Sequence, residues 1–242
     1  MSRRTTAIAA ALSVLALGSS LMTGCVNPLA TNSFNSGVEK SEQGDYQGAI
    51  TDYTKAVEIN PQYADAYGNR GNAKFNLKDY QAAIADYDKA IEINPQDVLS
   101  YSNRGLAKFN LKDYQGAITD YDKAIEINPQ YAIAYSNRGL AKYNLKDYQG
   151  AIADYDKAIE INPKNADAHY NRGLDKAYSK DYQGAIFDFN KAIEINPQYA
   201  SAYLNRGIAR ELANDLDGAC DDWRKAADFG LTEPAEWVKK QC

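Results

Sequence analysis

The chain has 242 residues, of which 45% are hydrophobic and 24% are charged, and its formal net charge is -5. This composition is that of a soluble globular protein. Its lysines and arginines are spread singly among carboxylates. Nucleic-acid binding and electrostatic membrane binding both need clustered cations, so the charge pattern argues against both.

The first 24 residues differ from the rest of the chain. Arg3 and Arg4 form a short positive region, and the run 7–17 is apolar apart from Ser13. This run is about half as long as a bilayer-spanning helix, which predicts a cleaved signal peptide over residues 1–24 and export of the protein. Its removal leaves 25 basic and 32 acidic side chains, a net charge of -7.

The residues that end this segment, Leu21-Met22-Thr23-Gly24-Cys25, resemble a bacterial lipobox. The resemblance implies that Cys25 is acylated, with palmitate or a similar chain, and becomes the first residue of the mature protein. Residues 25–29 are then a lipid-anchored tether. The expected location is a bacterial membrane, facing the periplasm or the extracellular side. Ordinary secretory cleavage beside a chance cysteine is the alternative.

From Ala30 onward the sequence repeats with a period of 34 residues. Glycine, for example, recurs at Gly71, Gly105, Gly139, Gly173 and Gly207. A fixed period of this length makes each copy one supersecondary unit that buries its apolar face only by stacking on its neighbours. The period predicts six copies, over residues 30–63, 64–97, 98–131, 132–165, 166–199 and 200–233.

Each copy is predicted to contain two amphipathic helices. In copy 64–97, apolar and aromatic residues occur at helical spacing over 66–77 and again over 80–93. Asp79 stands at the N-cap position of the second helix, and Pro95 stops that helix. Gly71 and Ala83 are small where the two helices can cross closely, so a larger side chain there should separate them.

The spacing of seven side chains in copy 64–97 resembles the tetratricopeptide repeat. They are Tyr67, Arg70, Gly71, Lys74, Ala83, Tyr87 and Pro95. The resemblance implies an all-α fold, an α-α superhelical solenoid of six helix pairs. After the sixth copy, Pro234 to Trp237 match the start of a further first helix, so residues 234–242 are predicted to form a C-terminal capping helix.

The resemblance also implies protein binding, because the first helices of tetratricopeptide proteins line a concave groove that receives peptides. We call the residues that occupy the same position in successive copies a column. One column of the first helices holds an asparagine in five copies: Asn69, Asn103, Asn137, Asn171 and Asn205. An amide has both a donor and an acceptor, so an evenly spaced row can hold an extended peptide backbone. Local bonding within the scaffold is the alternative role.

Apolar side chains lie beside this column and are predicted to take apolar anchors of a bound peptide. They are Leu106 and Leu140, with Phe75, Phe109 and Tyr143 one turn further along.

The sequence offers little for catalysis. The single histidine, His169, stands in a column that is tyrosine in other copies, so a packing role is favoured over metal binding. We therefore predict no catalytic residue, cofactor or metal, and a non-enzymatic adaptor that binds another protein or a peptide segment. The alternative is an assembly or stability factor for a membrane complex that docks through the convex face. The sequence sets no oligomeric state.

Antiparallel helix geometry predicts ion pairs between consecutive copies. The expected pairs are Asp52–Arg70, Asp86–Arg104, Asp120–Arg138, Asp154–Arg172 and Asp188–Arg206. Pairing within one copy, as between Arg70 and Asp86, is nearly as good geometrically.

The same geometry brings Cys220 close to Cys242. Export to an oxidising compartment favours a disulfide between them, since lipid consumes the third cysteine. Two unpaired cysteines are the alternative.

Overall fold

A computed structural model describes residues 27–234, 237–238 and 242. The expected signal peptide over residues 1–24 and the expected acylation site Cys25 lie outside the described residues, as does much of the expected capping helix. None of the helices within the described ranges has both the length and the apolar character needed to cross a bilayer.

Among the described residues the chain forms twelve α-helices and no strand. The helices are α1 (Pro28–Glu42), α2 (Tyr46–Ile59), α3 (Ala64–Asn76), α4 (Tyr80–Ile93), α5 (Val98–Asn110), α6 (Tyr114–Ile127), α7 (Ala132–Asn144), α8 (Tyr148–Ile161), α9 (Ala166–Tyr178), α10 (Tyr182–Ile195), α11 (Ala200–Leu212) and α12 (Leu216–Asp228). Each odd-numbered helix packs against the even-numbered helix that follows it. This arrangement confirms the predicted all-α fold of paired helices.

The helix pairs, called hairpins below, belong to two compact units. The described part of the N-terminal unit is residues 27–129, in which α2 packs on α3 and α4 packs on α5. The C-terminal unit begins at residue 130, and in it α8 packs on α9 and α10 packs on α11. Within each unit, therefore, the hairpins stack on one another in chain order.

The turn inside each hairpin has the same construction in every copy. An aspartate accepts a hydrogen bond from the backbone N–H three residues ahead, which confirms the predicted N-caps. The residue before each aspartate has a left-handed backbone. These residues are Gly44, Lys78, Lys112, Lys146, Lys180 and Asn214, with φ between 64° and 80°. In the third copy the Asp113 N–H bonds the Lys108 carbonyl, so the first helix ends in a Schellman motif.

Four of these left-handed positions hold lysine, which has a Cβ that this conformation disfavours. We expect Lys112→Gly to raise the free energy of unfolding by about 0.5–1 kcal/mol, since relief of this strain outweighs the added chain entropy of glycine. Urea unfolding followed by circular dichroism measures the change. The control is Lys123→Gly inside α6, which should lower the same free energy by about 1 kcal/mol. If both variants lost the same free energy of unfolding, the left-handed backbone at Lys112 would not be strained.

The core of each hairpin is one large aromatic ring packed over a glycine. A Cβ added to Gly71 would lie 2.7 Å from Tyr87 Cε1, which is closer than real Cβ atoms approach other atoms. The same relation holds in every copy. The rings are Tyr53, Tyr87, Tyr121, Tyr155, Phe189 and Trp223, all almost completely buried. The predicted close crossing of the two helices therefore depends on both the glycine and the ring.

The first helix begins earlier than the sequence analysis expected. Asn27 accepts a hydrogen bond from the Leu29 N–H, and Pro28 occupies the first turn, where its missing N–H costs nothing. α1 therefore includes residues 28 and 29, the last two residues of the predicted tether over 25–29.

Candidate peptide-binding faces and the charge network behind them

A column of arginines in the first helices is bound to buried aspartates of the second helices. The pairs are Arg70–Asp86, Arg104–Asp120, Arg138–Asp154, Arg172–Asp188 and Arg206–Asp222. In each pair Nε and Nη2 donate to the two carboxylate oxygens, the bidentate geometry that arginine favours. Each pair joins residues of the same copy, 16 positions apart.

The predicted pairing between consecutive copies is therefore wrong. It concerned Asp52–Arg70, Asp86–Arg104, Asp120–Arg138, Asp154–Arg172 and Asp188–Arg206. The physical reason is the close crossing within each hairpin, where the glycine lets the first helix approach the buried side of the second. The remaining arginine nitrogen, Nη1, does reach the preceding copy within each unit, but it bonds a different aspartate from the one predicted. Arg104 Nη1 donates to Asp88 Oδ1, and Arg172 Nη1 donates to Asp156 Oδ1, each at 2.6 Å.

A second cation column approaches the same carboxylates. Lys108 Nζ lies 2.8 Å from Asp120 Oδ2, and Arg210 takes the equivalent place beside Asp222. Burial by itself would raise the pKa of Asp188, but the nearby His169 ring and the hydrogen bonds from Arg172 and Lys176 outweigh it and hold the pKa at about 2. These contacts explain why one position of the first helices holds arginine and another, one turn further along, holds lysine or arginine.

The asparagine column is partly bonded within the scaffold. Asn69 Nδ2 donates to the Asp65 carbonyl at 2.9 Å, and Asn103 Nδ2 donates to Asn72 Oδ1 at 3.0 Å. Asn205 Nδ2 donates to the Ser201 carbonyl and to the Tyr170 hydroxyl. No donor among the described residues bonds Oδ1 of Asn69, Asn103 or Asn205. These three amides are thus held in place by their nitrogens and keep an acceptor available.

The other two asparagines of the column differ in exposure. Asn171 is half-buried, whereas Asn137 is only 8% exposed and offers a ligand little surface.

The predicted apolar anchor sites are corrected in part. Leu106 and Leu140 are only 6% and 8% exposed, so they are already packed and cannot receive a side chain from a ligand. Phe75 and Phe109 are half-buried and make edge contacts with Tyr80 and Tyr114 of their own hairpins. Only their remaining surface is available to a partner.

Sequence reasoning missed Tyr178, which extends the predicted site at Tyr143. Tyr178 is 59% exposed, and its ring stacks on Tyr148 at 5.9 Å and contacts Tyr143 at 5.7 Å. We call Tyr143, Tyr148 and Tyr178 the tyrosine cluster of the C-terminal unit. The signal was present in the sequence, because Tyr178 is aromatic in a column that is asparagine in the three preceding copies.

His169 is buried, as a packing role requires. Its Nε2 lies 3.1 Å from the Pro163 carbonyl oxygen, and its Nδ1 lies 3.8 Å from Asp188 Oδ1, beyond hydrogen-bonding distance. In the part of the chain that the structure describes, no group of three or more histidine, cysteine, aspartate or glutamate side chains is placed to hold a metal ion.

Comparison with known families identifies the repeats. A tetratricopeptide repeat model matches residues 64–97, 98–131, 132–165 and 166–199, and a second TPR repeat model matches residues 39–78. No curated protein matches the sequence.

Solved structures share the fold. MamA is 27% identical, with 72% of this chain and 94% of that chain covered and a TM-score of 0.64. YrrB, described as a TPR protein with an unusual peptide-binding site, is 24% identical, with 78% and 97% covered and a TM-score of 0.65. PilF of Pseudomonas aeruginosa is 18% identical, with 88% and 98% covered and a TM-score of 0.76. At these last two identities the likeness is one of fold.

Proposed function

This chain belongs to the tetratricopeptide repeat family, and we propose that it is a non-enzymatic scaffold that holds an extended segment of a partner protein against the first helices of its hairpins. The fold is one of protein-interaction modules. The observation that carries the proposal is the state of Asn69, Asn103 and Asn205. Their side-chain nitrogens are fixed by the scaffold, while their oxygens accept no hydrogen bond from the described residues.

Fixed amides suit the recognition of a peptide backbone. An acceptor that is already oriented loses little side-chain entropy when a peptide N–H binds to it, so more of each hydrogen bond contributes to affinity. A backbone contact reads no side chain, so it tolerates many sequences. In the C-terminal unit, the tyrosine cluster adds exposed aromatic surface on which an apolar side chain of the partner can pack.

We expect the double variant Asn69→Ala/Asn103→Ala to bind the partner about 10- to 100-fold more weakly, because two hydrogen bonds of about 1 kcal/mol each are lost. Titration of the partner by isothermal calorimetry measures the change. The matched control is Asn76→Ala/Asn110→Ala. It removes amides from the same two helices that donate to the carbonyls four residues back. Equal weakening by both variants would count against the asparagine column.

A second candidate function, docking through the second helices, is favoured by one side chain. Phe187 on α10 is 56% exposed, although the matching positions of other copies hold Ala85, Thr119 and Ala153. Such an exposed ring is a candidate anchor for a partner. If this mode operates, Phe187→Ala should abolish partner binding and the asparagine variants should leave it intact.

We further propose that the mature protein is held at a bacterial membrane by acyl chains on Cys25. The lipobox resemblance supports this, and the start of α1 at Pro28 would keep the first hairpin near the bilayer. Labelling of cells with radioactive palmitate should mark the wild-type protein but not Cys25→Ser, and only the wild type should sediment with membranes. Recovery of the intact wild type in the soluble periplasmic fraction would refute the anchor.

A further inference from the structure

Both tryptophans of the chain lie at the end of the C-terminal unit. Trp223 of α12 is buried in a cluster with Leu204, Ala219 and Ala226. The ring of Trp237 meets it edge-on at 5.4 Å, and Leu231 and Val238 pack against the same cluster. Residues that follow α12 therefore cover the apolar face of the last hairpin.

A disulfide joins this segment to α12. Cys220, one turn before Trp223 on α12, is bonded to Cys242, and their Cα atoms are 5.8 Å apart. The Cys242 N–H also bonds the Val238 carbonyl. The disulfide joins two residues that are 22 positions apart in the sequence and so removes conformations from the open form of the segment. Without it, the described residues of this segment are held by a small apolar contact that includes Leu231, Trp237 and Val238.

The disulfide is accessible to reagents. It lines a surface cavity of about 200 Å³ together with Leu216, Asp217, Asp221 and Arg224. Cys220 is buried, whereas Cys242 is exposed. Thiol–disulfide exchange requires an attacking thiolate to reach one sulfur, and Cys242 is the more exposed of the two cysteines that line the cavity.

From this geometry we propose that the Cys220–Cys242 disulfide is a redox-sensitive staple, whose reduction by a dithiol releases the segment that carries Trp237 and uncovers Trp223. One thiolate of the dithiol attacks Cys242 Sγ, the S–S bond breaks, and Cys220 leaves as a thiolate that takes up a proton. The second thiol of the reagent then attacks the mixed disulfide and releases Cys242. Two cysteines are reduced, and the dithiol is oxidised to its disulfide.

Tryptophan emission tests the proposal on the full chain, because every tryptophan in the sequence belongs to this contact. Dithiothreitol should shift the emission maximum to longer wavelength while far-UV circular dichroism keeps its helical signal, and reoxidation should reverse the shift. Unchanged emission after complete reduction would overturn the proposal. A parallel loss of helical signal would also overturn it, because the disulfide would then support the whole unit. Two freely alkylated thiols in the unreduced protein would overturn it as well.

Variants separate the staple from other effects of the reductant. Cys220→Ser/Cys242→Ser should show the shifted emission without reductant and should not respond to it. Trp237→Phe should leave Trp223 as the reporter and keep the response. The control Cys25→Ser should respond like the wild type, because it removes the other cysteine of the chain. If the double serine variant does not fold, reduction and reoxidation of the Cys25→Ser protein still decide between the outcomes.

Discussion

Replacement of Arg104 with alanine is expected to lower the free energy of unfolding by about 3 kcal/mol, near the lower end of the usual effect of breaking a buried ion pair, because Lys108 still contacts the buried carboxylate of Asp120. Asp120 is only 1% exposed and accepts hydrogen bonds from Nε and Nη2 of Arg104. Without the guanidinium, Lys108 alone faces this carboxylate from the first helix. Urea unfolding followed by circular dichroism measures the loss.

An exposed ion pair of the same hairpin provides the control. Lys123 pairs with Glu126 in solvent, so Lys123→Ala should change the free energy of unfolding by less than about 0.5 kcal/mol. The double variant Arg104→Met/Asp120→Leu should regain part of the stability lost in Arg104→Ala, since it removes the buried carboxylate and leaves only the partly exposed Lys108 without this partner. A loss in Arg104→Ala no larger than that of the control would mean that water screens the pair.

Tyr87→Ala should also cost about 3–5 kcal/mol of unfolding free energy, because it removes the ring that fills the crossing of α3 and α4. The ring lies against Gly71, and its hydroxyl donates to Asn72 Oδ1 at 2.8 Å. The control, Tyr87→Phe, loses only this hydrogen bond and should cost about 1 kcal/mol. Phe189 already fills the matching position of another copy, so the fold accepts phenylalanine there. If the two variants lost similar free energies of unfolding, the hydroxyl and not the ring would supply the stability.

The helix pairs could be predicted because periodicity and capping are local signals. Three signals act within one copy and recur in every copy: the apolar spacing, the aspartate N-caps and the prolines. The 34-residue period does not predict the start of α1, because the period places the first copy at residue 30. The local signal is the N-cap Asn27 followed by Pro28, and it marks the helix start directly.

The ion pairs could not be settled from spacing alone. Arg104 has aspartates within reach in its own copy and in the preceding copy, and it bonds Asp120 of the first and Asp88 of the second at the same time. The depth of the crossing decides which aspartates the arginine reaches, and that depth depends on how a tyrosine ring packs over a glycine. Sequence spacing carries no measure of this depth.

The binding face was predictable only in part, because the period predicts which residues recur but not how deeply each one is buried. The asparagine column follows from the period, but the burial of Leu106 depends on how closely helices pack around it. Tyr178 was overlooked because it departs from the repeat, and attention to the period favours residues that recur. Residues that differ from the repeat in a single copy, such as Tyr178 and Phe187, allow that copy to make a contact that the other copies lack.

Site-specific photocrosslinking in cells tests most directly whether a partner is held against the first helices. A photoreactive phenylalanine analogue would replace Leu99, which is exposed one turn before Asn103 on α5, or Phe187 on the second helix α10. We expect a crosslinked partner from position 99 and none from position 187. A partner captured from position 187 alone would contradict binding to the first helices.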